Sequence, residues 1–96
     1  MGYNRLRDMA KRGESNRIKT CRFLADQCLQ AFSIGSDLLI NPNVYDLRAA
    51  SNRMSDAKYW LEMLADRDID MALSLVDTKG HLLADRIDSL LNALNQ

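Results

Sequence analysis

Apolar and small residues recur at alternating steps of three and four along three stretches of this chain. Ile18, Cys21, Ala25, Cys28, Phe32, Gly35 and Leu39 make the first run, and Leu47, Ala50, Met54, Ala57, Leu61 and Leu64 the second. Ile69, Leu73, Val76, Gly80, Leu83, Ile87, Leu90 and Leu94 make the third. Such spacing holds one stripe of a helix toward a neighbour, so it predicts three helices that bury their stripes together. The fold expected is all-α, an antiparallel bundle with helices over about 15–40, 42–65 and 68–94. With 96 residues, 47% of them apolar, the chain can build a single core.

The punctuation fits. Asn41-Pro42-Asn43 separates the first two helices, because proline disfavours a helical residue before it and suits a first helical turn; Asn41 is the expected N-cap. The second seam steps by five from Leu64 to Ile69, and Asp66-Arg67-Asp68-Ile69-Asp70 supplies an acidic start for the third helix. Thr78-Lys79-Gly80-His81 has the composition of a turn, yet the three-four phase runs through it from Val76 to Gly80 to Leu83. The phase favours one helix, kinked or broken at Gly80.

The net charge of zero conceals an asymmetry. Residues 1–22 hold seven basic and two acidic side chains, a balance of +5, and residues 23–96 six basic and eleven acidic, a balance of −5. Extended backwards, the first seam meets Glu14, Lys11, Arg7 and Asn4, none of them apolar. Residues 1–13 therefore read as a basic arm out of phase with a bundle domain over 14–96, one that either folds back as a short amphipathic helix over 3–12 ending at Gly13 or projects freely. Arg5, Arg7, Lys11, Arg12, Arg17 and Lys19 are its candidate phosphate contacts, and Tyr3 a candidate stacking ring, should the partner be nucleic acid.

Several large apolar residues miss the three stripes. Phe23 and Ile34 share an outer face of the first helix, Tyr59 and Met63 one of the second, and Met71, Leu75 and Leu82 one of the third, while Trp60 flanks its own seam. A second stripe on each helix calls for a partner, and aromatics and methionine suit such contacts. These eight residues are the candidate partner-binding set, for a homo-oligomer such as a dimer or for another protein.

Specific chemistry finds little support. Asp66, Asp68, Asp70 and Asp77 have calcium-loop spacing, but the sharp turn needs glycine where Met71 stands, and the last ligand is Asp77 rather than glutamate. Cys21 and Cys28 are two helical turns apart, too far for a disulfide within one helix, and read as small core hydrophobes. His81 is the single histidine, Glu62 and Asp66 form an ordinary i,i+4 acidic pair, and no nucleophile, base and orienter come together in sequence. Neither a cofactor nor a resident metal is expected. No apolar run reaches the roughly 18 residues of a membrane span, no signal-peptide core follows the basic start, and position 6 is Leu rather than the Ser or Thr of a myristoylation motif. The expectation is a cytoplasmic, non-enzymatic interaction protein (an adaptor, regulator, inhibitor or assembly factor), with nucleic-acid binding through the arm, the bundle serving as dimerisation unit, as the alternative.

Overall fold

A computed structural model describes residues 2–96, with side chains described from Arg5 onward. The fold is an all-α bundle. Four helices follow in order: α1 (Gly2–Leu38), α2 (Val44–Arg67), α3 (Ile69–Ser74) and α4 (Leu83–Leu94). The first packs along the second, and the second carries the third and fourth on another side. Tyr3 has its backbone in α1, but the stacking role expected of its ring lies outside the described side chains.

The α1–α2 seam follows the three-four pattern closely. Cys21, Ala25, Cys28 and Phe32 are buried, joined by Leu24 and Ala31, and they meet buried Ala50, Met54, Ala57, Leu61 and Leu64. Small residues line most of the α1 side, so the two backbones approach closely. At Gly35 an added Cβ would stand 2.8 Å from Cε of Met54 and 3.3 Å from Cβ of Arg53. Glycine therefore sits inside this helix for proximity rather than as a terminator, and α1 runs three residues past it. Ile18 and Leu47, at the outer ends of the two seams, are exposed.

The connection to α2 differs in detail from the expected one. Asn41 adopts a left-handed backbone with φ of 60°, a conformation asparagine tolerates better than most residues. The N-cap is Asn43. Its Oδ1 accepts the Asp46 N–H at 2.8 Å, and Oδ2 of Asp46 accepts the Asn43 N–H at 3.2 Å, a reciprocal box that stabilises the helix start by about 1 kcal/mol.

Two expectations need correction. The basic arm is not a separate helix ending at Gly13, because α1 is unbroken from Gly2 to Leu38. An added Cβ at Gly13 would meet nothing within 4 Å, so its missing side chain serves no contact there. At 3.6 residues per turn, eighteen residues make about five turns, and Leu6, Ala10 and Gly13 stand eighteen before Leu24, Cys28 and Ala31. Those three positions fall in phase with the buried stripe, while Arg7, Glu14 and Arg17, eighteen before Ala25, Phe32 and Gly35, set charge on the same face.

The third predicted helix is two helices, broken wider than Gly80. Leu75 turns extended (φ −69°, ψ 129°), residues 75–82 form a hairpin loop, and α4 starts at Leu83. Val76 and Leu82 pair as an isolated antiparallel bridge, and Gly80 has φ of 84°, which suits glycine. The preserved phase was a coincidence across a loop. Val76 and Gly80 are exposed, as are Ile69 and Leu73, whereas Ala72, Leu83 and Ile87 fill the core.

Candidate functional site

The eight candidate partner residues divide into two groups. Trp60, Met63, Met71 and Leu75 are partly buried and pack against the core, so much of their surface is spent on the fold. Phe23, Ile34, Tyr59 and Leu82 remain exposed. The strongest cluster is aromatic. The Phe23 ring of α1 stands edge-on to Trp60 of α2, centroids 6.0 Å apart, and Tyr59 meets Trp60 at 5.3 Å. Edge-to-face pairs of this kind contribute about 0.5–1.5 kcal/mol beyond the area they bury. Phe23 and Tyr59 nevertheless keep 54% and 57% of their surface in solvent. Ile34 shares the face of Phe23 about 16 Å farther along α1, past Gln27 and Gln30, so the two do not form one patch. Leu82 lies in the 75–82 loop.

Every described side chain from Arg5 to Thr20 is exposed. These include the six candidate phosphate contacts, Arg5, Arg7, Lys11, Arg12, Arg17 and Lys19, together with the apolar Leu6 and Met9 at 67% and 56% exposure. The helix thus carries its charged half past the bundle, and the long axis of the molecule reaches 64 Å.

Asp77 is better explained as a loop clasp than as a metal ligand. Its Oδ1 accepts the backbone N–H of Lys79 at 2.9 Å and of His81 at 2.8 Å. Oδ2 stands 3.3 Å from Nδ1 of His81 and 3.5 Å from Nε of Arg86 on α4, an ion pair that is the latter atom's partner. The His81 N–H chiefly holds the Asp77 carboxyl below its usual range. Partial burial opposes that shift, and the Lys79 N–H and His81 side chain add to it. The loop backs a cleft of about 510 Å³ against α1, bordered there by Leu29, Phe32 and Ser33. The turn composition is legible in the sequence, whereas the closing of the turn by the aspartate before it is not.

The other calcium candidates are not brought together with Asp77. Asp68 caps α3, its Oδ1 accepting the Met71 N–H at 3.0 Å, while Asp70 lies within α3 and Asp66 at the end of α2. The segment that a calcium loop must bend is helical, and no group of three or more metal-type side chains converges among the described residues. Cys21 and Cys28 are buried and unbridged, as their spacing requires. Burial pushes the Cys28 thiol up to about 11, which keeps it protonated and unreactive near neutrality.

A second, smaller hollow of about 190 Å³ lies among α2, α3 and α4. Leu61, Ala72 and Ile87 form its apolar floor, Ile69 and Leu73 stand exposed at its lip, and Glu62 and Asp88 border it. The paired carboxylates noted in the sequence, Glu62 and Asp66, are thus one groove-side acid and one exposed neighbour.

Comparison with protein-family models, with curated proteins and with solved structures found no match. Among the described residues, no helix is long and apolar enough to cross a membrane.

Proposed function

We propose that this protein is a non-enzymatic helical-bundle interaction module (an adaptor, regulator, inhibitor or assembly factor) that works through apolar surface its own fold leaves open. The observation that carries this reading is the aromatic cluster. Phe23 and Tyr59 stand edge-on against Trp60, yet each offers about half its surface. Aromatic side chains are enriched at the anchoring positions of protein contacts. The engagement of Asp77, His81 and Arg86 with one another supports a structural role for the polar loop rather than a catalytic one. Two buried thiols that cannot pair within one helix suit a reducing, cytoplasmic setting.

Photo-crosslinking in the native cell tests the reading. A photoreactive side chain at Phe23 or Tyr59 is expected to give discrete protein adducts that one at exposed Asn92 does not. Adducts at none of the three positions, or equally at all, would sink it.

The alternative reading is nucleic-acid binding through the basic half of α1. It is favoured by the unbroken exposure of Arg5, Arg7, Lys11, Arg12, Arg17 and Lys19 on one projecting helix. Binding to duplex DNA or RNA should then weaken steeply between low and moderate salt and vanish with acidic replacements at Arg5, Lys11 and Arg12. Salt-insensitive binding, or none, would remove this reading.

A further inference from the structure

We infer that the hollow among α2, α3 and α4 is a docking groove for the basic N-terminal half of α1 from a second copy of the chain. This inference rests on the reading of the protein as an interaction module and names its partner.

The groove asks for an apolar ligand with positive borders. Its floor of Leu61, Ala72 and Ile87 is apolar and buried and its lip residues Ile69 and Leu73 are each about half exposed, so a helix laid across it would cover apolar surface that the monomer leaves exposed. The charged side chains that line it are Glu62, Asp88 and Lys58. Lys58 is paired with Asp88 at 3.7 Å across two exposed side chains, a weak contact that a better-placed cation can replace.

The first half of α1 has the complementary form. At 100° per residue, Leu6, Met9, Ala10 and Gly13 share one face, with Arg5 and Arg12 along one border and Arg7 along the other. Ala10 and Gly13 let a partner backbone come close, and space around Gly13 is open. That face lies in line with the stripe that α1 buries against α2 from Cys21 onward, with Arg17 between the two, and its side chains from Arg5 to Thr20 are exposed. The charge balances of +5 over residues 1–22 and −5 over the rest set this segment against the body of its own kind. Like charge opposes pairing of two such segments with each other.

The donor must be another molecule. The segment is the straight continuation of α1 and leads away from the bundle, so returning to its own groove would require breaking the helix. Reciprocal exchange between two copies satisfies both grooves and closes the assembly, as two-fold contacts do.

Sedimentation equilibrium of the full chain tests this with charge reversals on exposed positions only. The wild type is expected to exceed its 10.9 kDa monomer mass at low salt and to move toward it as salt rises. Replacing Arg5 and Arg12 by Glu, or Glu62 and Asp88 by Lys, should each weaken association by about tenfold or more. Mixing the two variants should restore it, because the acidic segment of one meets the basic groove of the other. A wild type that stays at monomer mass at every salt and concentration would overturn the inference. So would association that survives either reversal, or reversals that do not rescue one another. A loss seen with the arm reversal alone and only when duplex DNA is present would assign the segment to nucleic acid instead. Adducts at Phe23 and Tyr59 are read independently, so the interaction reading survives if only the groove assignment fails.

Discussion

A methyl group added at Gly35 would meet Cε of fully buried Met54 at 2.8 Å, Cβ of Arg53 at 3.3 Å and the Ala50 carbonyl oxygen at 3.5 Å. Gly35→Val is therefore expected to lower unfolding free energy by about 1–3 kcal/mol in urea titration, the usual cost of overpacking a close contact. Gly13 in the same helix faces open space, and Gly13→Ala should gain the propensity difference of about 1 kcal/mol locally. The readout is roughly fivefold slower amide exchange around residue 13, with the midpoint of global unfolding unchanged. Asp77 carries the clearest pH dependence. Its folded pKa lies below the ordinary value near 4, so its contribution is complete above that value and is lost as the pH falls through the depressed one. Acid titration should show the amides of Lys79 and His81 losing protection in that low window, and Asp77→Ala should remove their protection already at neutral pH. Unchanged protection in that variant would show that the backbone pairs, such as Asp77 N–H to the His81 carbonyl at 2.8 Å, hold the loop unaided.

The elements differ in how much of each was readable. The seams of α1 and α2 were plain in the three-four spacing, because both helices bury one stripe along most of their paired length and small residues at regular steps leave few other solutions. The capping pair Asn43–Asp46 was visible only as two polar residues three apart after a proline, and choosing it over Asn41 needed the backbone that Asn41 adopts. The loop over 75–82 was hidden for a different reason. A hydrophobic period records which residues face inward and says nothing of a side chain that satisfies backbone donors, and Asp77 does so twice. Of the candidate surface, the aromatic residues were legible from their being off the seam. The groove was not, since it joins three elements whose relative placement depends on that loop. The charge asymmetry was also legible, but its placement in a continuous helix was not, since a trace by sevens loses about 20° per repeat. At this scale amide exchange separates the two halves of α1. In dilute protein at high salt, amides before residue 18 should exchange at least about a hundredfold faster than those of Cys21–Phe32, because a short uncovered helix is marginal in water. Protection of the first half that rises with protein concentration would mark its being covered by another copy.

Considered whole, the molecule joins a compact body to a helix that outruns it. The 37 residues of α1 measure about 55 Å, against about 36 Å for the 24 of α2. Among the described side chains of α1, the buried ones begin at Cys21 and lie in its second half. The aromatic cluster sits close to that starting point, at Phe23, so the segment that projects and the rings that face solvent are set on one shaft. A shaft transmits angle as well as distance. Inserting one residue between Arg17 and Ile18 would turn everything before it by about 100°, pointing Leu6 and Met9 away from any surface they had met while leaving composition and charge untouched. Seven inserted residues would bring the same face back to within about 20° of its old bearing and move it about 10 Å outward. Assembly that fails with one added residue and returns with seven would identify α1 as a timing rod, one that sets the bearing at which two bodies meet.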